Sequence, residues 1–310
     1  MKIIFFGTPE FSAIILKALI NNNYLPVLVV TASDKPVGRE KIITPPPIKV
    51  LAEQYKIKVS QPKNLEDIKQ DISDINPDLI IVAAYGPPFL TKDILAMSRH
   101  GCLNLHPSLL PKYRGASPVA SSILNGEKET GVTIIKMAEK IDQGDIISQE
   151  KMKILANDTT LSLTKKLAEL GSNLLIKTIP LWLKGKIILK IQGNSPTIYC
   201  YQLKKENGKI DWKNQAEYIE KQIRAFYLWP GTFTFFKGKV LKILKARAIQ
   251  RQREIQIKPG FTFLTKDKEF AVQAGKNMLV IEILQLDGKK PMSSQDFLKG
   301  HQDIINTILE

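Results

Sequence analysis

The sequence predicts an α/β domain on a mainly parallel sheet, joined to a smaller all-β barrel. Three observations carry this. Short, continuously apolar runs (Lys2 to Phe6, Pro26 to Val30, Asp78 to Tyr85) alternate with segments of helical period, the pattern of strands buried on both faces. The runs "GVTIIKM" and "GDIISQEKMKI" follow each other without a helix between them, so one edge of the sheet is expected to be antiparallel. Beyond residue 207 the pattern changes to short strands separated by Gly turns, which reads as a small barrel.

The elements follow in order. The first run ends in Gly7-Thr8-Pro9, and a helix follows with Phe11, Ile14, Ile15, Ala18 and Leu19 on one face. A strand spans 26–33, and "DKPVGREKIITPPP", 34–47, reads as a polar, Pro-rich loop. "IKVLAEQY" is a helix, "IKVSQP" a short strand, and Asn64 is placed to cap the next helix. "DLIIVAAYG" and "GCLNLH" are strands, and "SPVASSILNG" is a helix closed by Gly126. Residues 158–184 are helical, opening at Asp158 and Thr159. The expected domains are 1–187 and 207–310, with 188–206, a segment of weak periodicity, as the linker.

Each of these domains is long enough to bury a core, with 44% hydrophobic residues in the 310. The apolar runs are too short to span a bilayer or to form a signal sequence, so a cytoplasmic protein is expected. Two cysteines, Cys102 and Cys200, make no disulfide framework, and three scattered histidines make no metal site. The net charge of +15 divides as +6 over residues 1–187 and +9 over 188–310. Such an excess suits a polyanionic partner, although a Lys-rich solvated surface gives the same composition.

The stretch "NLHPSLLPKYRGASP", 104–118, is too polar for a core and too irregular for a helix. In an open parallel sheet, ligands sit beyond the carboxyl ends of the strands. Asn104 and His106 stand at such an end, two apart, so both side chains share one face. An amide donor beside a titratable ring suits a developing oxyanion, though a structural histidine fits the same spacing. Asp142 and Asp145 flank a Gly turn in "KIDQGD", which is also ordinary turn chemistry. A carboxylate near His106 would orient its ring and favour the protonated form. "GTPEF", 7–11, lacks both the Walker pattern and a G-x-G-x-x-G pattern, which excludes a nicotinamide-type nucleotide site after the first strand.

"NLHPSLLPKYRGASP", followed by "GVTI" and by Asp142 36 residues past His106, resembles the formyltransferase family that uses 10-formyltetrahydrofolate. The opening "IIFFGTPEFS" and "IDWKNQAEYIEKQIRAFYLWP" resemble the members of that family that act on charged tRNA. The resemblance covers nearly the whole chain. It implies a Rossmann-like catalytic domain and an OB-like, tRNA-binding C-terminal barrel. It implies 10-formyltetrahydrofolate as donor, initiator methionyl-tRNA as acceptor, no metal, and a monomer. By the same resemblance Asn104 and His106 hold the formyl oxygen, and Asp142 pairs with the imidazole. Ser108, Leu109, Leu110 and Pro111 run along the folate, and Tyr85, Pro87 and Phe89 border the pterin. Arg39 takes the position of the key Arg in a tRNA-contacting loop that also holds Lys35 and Lys41. Where that loop often has Gly and two Lys, this chain has Glu40, Lys41 and Ile42. On the barrel, Lys237, Lys239, Lys242, Lys245 and Arg247 form a stripe suited to phosphates. Phe226, Tyr227 and Trp229 suit either base stacking or packing. A sugar-nucleotide formyltransferase and a formyltetrahydrofolate hydrolase share this chemistry with other acceptors, and a non-catalytic RNA-binding protein is the alternative of another class.

Overall fold

The computed structural model describes residues 1–38, 40–193, 197–250 and 257–310. The chain divides into two compact units. One comprises Met1–Pro118, Glu129–Lys153 and Ser162–Tyr201; the other comprises Val119–Lys128, Ile154–Leu161 and Gln202–Glu310.

The elements are β1 (Ile3–Gly7), α1 (Glu10–Asn21), β2 (Leu28–Val30), β3 (Lys35–Val37), β4 (Ile42–Thr44), α2 (Pro47–Gln54), β5 (Lys58–Ser60), α3 (Glu66–Ile75), β6 (Leu79–Ala83), α4 (Lys92–Leu95), β7 (Cys102–His106), β8 (Arg114–Gly115), α5 (Pro118–Leu124), β9 (Glu129–Lys136), β10 (Ile146–Lys153), α6 (Thr160–Leu183) and β11 (Tyr199–Cys200). Seven strands form one sheet in the order β10-β9-β7-β6-β1-β2-β5. β5, β2, β1, β6 and β7 are parallel, while β9 runs antiparallel to β7 and β10 antiparallel to β9. The mainly parallel sheet with an antiparallel edge is therefore the one the sequence predicts.

Both faces of its centre are buried. Ile4, Phe6, Leu28, Val30, Ile80 and Val82 pack with Ile68 and Ile72 of α3 on one side. Ile3, Phe5, Val29 and Ile81, of opposite parity, are equally inaccessible. Each such side chain stabilises the fold by roughly 1.5–3 kcal/mol. α1 buries Phe11, Ile15 and Leu19 of the expected face together with Leu16, while Ile14 and Ala18 are only half-buried.

Two local expectations are corrected. The segment 34–47 contains a hairpin, β3 paired antiparallel with β4, rather than only loop. Val37, Ile42, Ile43 and Thr44 supply β-branched residues, and Pro36 is tolerated because the ribbon is exposed on both edges. Asn64 does not cap α3 with its side chain. Its backbone N–H is instead taken by the Asp67 carboxylate at 3.1 Å. Gly126 closes α5 as read, with φ +70° and its N–H on the Ile123 carbonyl.

The second unit continues with α7 (Ala216–Ala225), β12 (Phe233–Phe236), β13 (Lys239–Ile249), β14 (Thr262–Leu264), β15 (Phe270–Gln273), β16 (Met278–Leu286), β17 (Met292–Ser293) and α8 (Ser294–Gly300). The antiparallel sheet runs β12-β13-β16-β15-β14, with β17 on β16. Its two open edges meet across the C-terminal residues. Thr262 donates its N–H to the Thr307 carbonyl and Leu309 to that of Gly260, both at 2.9 Å, while Phe235 donates to Glu310 at 3.2 Å. The sheet thus curls into the expected all-β barrel, around Trp212, Phe236, Leu241, Phe270, Leu284 and Phe297. Among the described residues no helix is long and apolar enough to cross a membrane.

Candidate active site

β7 lies between β6 and β9, with Asn104 opposite Ile135 and His106 opposite Thr133. Strand alternation turns both Asn104 and His106 to one face, and the structure brings Asp142 to them. The Asp142 carboxylate accepts from Asn104 Nδ2 at 3.3 Å and from the Gly115 backbone N–H at 2.8 Å. Its Oδ2 lies 3.5 Å from His106 Nδ1. The other ring nitrogen, Nε2, is 2.8 Å from the Tyr113 carbonyl oxygen. Both ring nitrogens therefore face acceptors, and only the protonated ring donates to both. The His106 side chain is 5% exposed and that of Asp142 11%, so the pair is weakly screened by solvent.

This arrangement needs an unusual path for the chain. Because β9 is antiparallel to β7, Lys136 lies opposite Leu103, at the start of β7. The connection from β9 to β10 must then fold back to bring Asp142 to the other end. Asp142 makes that reversal at φ +52°, a conformation costly for a residue with a Cβ. Gly144 makes it possible, since a Cβ there would sit 1.8 Å from the Lys136 carbonyl oxygen. Tyr113, whose carbonyl holds His106, has φ +60°.

The Ser-Leu-Leu-Pro loop is fixed from β9 and β10. Thr133 Oγ1 donates to the Ser108 carbonyl at 2.6 Å and accepts the Leu110 N–H at 3.1 Å. Gln149 Nε2 donates to the Leu110 carbonyl and to Thr133 Oγ1, at 3.0 and 2.7 Å. Ser108 is buried and its hydroxyl is used on the Lys112 carbonyl; Leu110 is buried, while Leu109 and Pro111 are half-buried. Past β6, Ala84 turns the chain at φ +47°. Tyr85 then packs edge-on against Phe6, and burial pushes its hydroxyl pKa up. Pro87 and Phe89 are exposed, Phe89 to 59%.

Lys35 and Lys41 are exposed on the β3–β4 hairpin, and Arg39 is outside the described residues. On the barrel, Lys237 pairs with Asp303, Lys245 with Glu282, and Arg247 with Glu269 and Glu282. Three of the five residues of that stripe are thus offset within their own unit, whereas Lys239 and Lys242 are exposed with no acidic partner among the described residues. Phe226 is buried, Tyr227 half-buried, and Trp229 59% exposed. Asp145 uses its carbonyl on the Lys136 N–H, within the turn. Cys102 and Cys200 are buried thiols not joined to each other.

Sequence reasoning did not single out Thr133, Gln149, Arg114 or Gln192. Thr133 was visible only within "GVTI", and the others act through contacts far apart in the chain.

Asn104 and His106 at the end of β7 and Asp142 in the loop between β9 and β10 thus meet in one polar cluster on an α/β sheet. Residues 1–179 match the formyl transferase family and residues 202–302 match the formyl transferase C-terminal domain. The chain belongs to the formyl transferase family. Within it the chain is 41% identical to the methionyl-tRNA formyltransferase of Halalkalibacterium halodurans, over 97% of this chain and 95% of that one. It is 42% identical to that of Alkaliphilus oremlandii, over 97% of each. Among solved structures, an N-formyltransferase from Helicobacter canadensis, with folinic acid and dTDP-3-aminofucose, superposes with a TM-score of 0.68 at 21% identity, covering 91% of this chain and 99% of that one. HypX from Aquifex aeolicus, bound to tetrahydrofolic acid, gives 0.62 at 17% identity over 97% of this chain and 47% of its own. These two likenesses bear on the fold alone.

Proposed function

We propose that the protein transfers the formyl group of 10-formyltetrahydrofolate to the α-amino group of initiator methionyl-tRNA, giving N-formylmethionyl-tRNA and tetrahydrofolate. The observation that carries this reading is one carboxylate, Asp142, gathering Asn104, His106 and the Gly115 N–H in a chain about 40% identical to methionyl-tRNA formyltransferases along nearly its whole length.

The amine attacks the formyl carbon, and the carbonyl oxygen gains the negative charge of a tetrahedral intermediate. Among the described residues only one of the two Asn104 amide hydrogens is engaged, at a long 3.3 Å, so the other can meet that oxygen. His106 Nε2 is committed to a backbone carbonyl, while Nδ1, 3.5 Å from Asp142 Oδ2, can share its proton with the developing oxyanion. As the carbon–nitrogen bond to the folate breaks, the proton lost by the amine replaces the formyl group on the folate nitrogen. Asp142 orients the ring and offsets its charge, and a water beside the carboxylate can relay the proton. The donor lies along Ser108, Leu109, Leu110 and Pro111, with the pterin against Tyr85, Pro87 and Phe89. The exposed, apolar Phe89 and the rigidly anchored Leu110 backbone suit a flat heterocycle. Lys35 and Lys41 on the hairpin, together with Arg39, and Lys237, Lys239, Lys242 and Lys245 on the barrel contact tRNA phosphates. The reading includes cytoplasmic, monomeric action.

The test is transfer of labelled formyl from 10-formyltetrahydrofolate to initiator methionyl-tRNA, beside elongator methionyl-tRNA, a control without acceptor and the His106→Ala protein. Label on the initiator that falls at least about 100-fold in the variant supports the reading. Formate release without acceptor labelling, or an unchanged rate in His106→Ala, refutes it.

A further inference from the structure

We infer that Gln192 is a positioning residue for formyl transfer, acting through the loop that carries Asp142. The inference rests on the proposed function, which supplies the reaction, and goes beyond it in assigning a role to a residue outside the Asn104, His106 and Asp142 set.

The side-chain amide of Gln192 is used at both ends. Its Nε2 donates to two carbonyls of the reversing loop, that of Asp142 at 2.9 Å and that of Gly144 at 2.6 Å. Its Oε1 accepts from two nitrogens of one guanidinium, Arg114 Nε at 3.1 Å and Nη2 at 2.7 Å. Both amide hydrogens and both oxygen lone pairs are thus placed, in the one orientation the surroundings allow. A flipped amide would set oxygen against two carbonyls and hydrogens against a guanidinium. Arg114 is buried, so its orientation is fixed in turn. The next residue, Gly115, donates the 2.8 Å bond to the Asp142 carboxylate. The loop is therefore held twice from the same short strand: through the Gly115 N–H on the side chain, and through Arg114 and Gln192 on the backbone.

The segment carrying Gln192 is itself tied to this unit on both sides. Lys190 exchanges backbone hydrogen bonds with Ile146 at 2.8 and 2.9 Å, and β11 pairs with β8 in parallel, Tyr199 with Arg114 and Cys200 with Gly115. The need for such a brace follows from topology. Asp142 arrives on a loop folded back from the wrong end of β7, at φ +52°, and nothing in that reversal alone favours the position that meets His106.

Gln192→Glu and Gln192→Ala test this in the full-length protein. The glutamate keeps the length and the pairing with Arg114 but sets an anionic oxygen against two carbonyls; the alanine removes both contacts. Steady-state transfer to initiator methionyl-tRNA should show kcat lowered by about 10- to 100-fold in both. KM for donor and acceptor should stay within about 3-fold, and circular dichroism should show folded protein. A crystal structure of Gln192→Ala should show the Asp142 carboxylate no longer within hydrogen-bond range of the Gly115 N–H. Parent-like kcat in a folded Gln192→Glu protein, a loss confined to KM, or an unmoved carboxylate in Gln192→Ala overturns the inference. Absence of formyl transfer by the unaltered protein would count against the proposed function instead, and the crystallographic arm would still decide the brace.

Discussion

Asp142→Asn exchanges one carboxylate oxygen for an amide nitrogen at nearly constant volume. The carboxylate accepts from the Gly115 N–H at 2.8 Å and from Asn104 Nδ2 at 3.3 Å, and lies 3.5 Å from His106 Nδ1. An amide cannot accept from both donors with its two end atoms. With its oxygen toward Gly115, its NH2 meets the NH2 of Asn104; flipped, it meets the Gly115 N–H. The charge matters more. A carboxylate 3.5 Å from a protonated ring interacts at about 5 kcal/mol for an effective dielectric constant of ~20. The two side chains are 11% and 5% exposed, so solvent screens little of this. The amide dipole restores part, leaving a loss of about 3–4 kcal/mol in the charged transition state, or ~10²–10³ in kcat. Single-turnover transfer to initiator methionyl-tRNA, with saturating donor and with folding checked by circular dichroism, measures it. A rate within about 3-fold of the parent, or a rise in donor KM alone, would refute the electrostatic role.

Gly144→Ala should lower stability by about 1–3 kcal/mol and slow transfer, because a Cβ 1.8 Å from the Lys136 carbonyl must displace the loop that carries Asp142; thermal unfolding and single-turnover rates check both. Burial pushes the Cys102 thiol from its ordinary 9.0 up to about 12, against a weaker opposing hydrogen bond from Ser98. Between those values the unfolded chain has released this proton and the folded one has not, so stability is full below about pH 9 and falls as pH rises. Urea unfolding at pH 10.5 should show about 2 kcal/mol lost to this group, a loss absent in Cys102→Val. Lys239→Ala and Lys242→Ala should each raise KM for tRNA and lower its salt slope by roughly 0.7–0.9. Lys245→Ala should do less, because Glu282 already offsets that charge.

What could be read from the sequence was what repeats at short range. Period-two alternation placed Asn104 and His106 on one face, and apolar runs located the parallel strands. The hairpin at 35–44 was hidden by Pro36 and Gly38, which read as loop residues even though Ile42, Ile43 and Thr44 favour a strand. The C-terminal closure of the barrel was hidden for the opposite reason: residues 307–310 carry no strand pattern of their own and are held by the edges they join. Around the site, Thr133 reaches back 25 residues to Ser108, Asp142 27 to Gly115 and Gln192 50 to Asp142. Separations of that size leave no local period, so these contacts emerge only once the topology is known.

That topology also explains where the strain sits. Parallel strands deliver their ends to one side of a sheet, and β6 and β7 bring Ala84 and His106 there directly. The antiparallel β9 delivers its end to the other side, yet the carboxylate that orders the site comes from the loop after it. The chain makes up the difference with residues in the left-handed region: Asp142 in the returning loop and Tyr113 in the loop that receives it. Each costs of order 1–3 kcal/mol and persists only where its surroundings over-determine it. At Tyr113 the carbonyl is fixed by His106 Nε2 at 2.8 Å and by the Cys200 thiol at 3.5 Å; at Asp142 the fixing groups are the Gly115 N–H and the Gln192 amide. Two of these four, Cys200 and Gln192, belong to the segment after α6. The geometry of Asn104, His106 and Asp142 therefore depends on chain well beyond the strands that carry them, and truncation before Gln192 would leave the three residues present but their loops unheld.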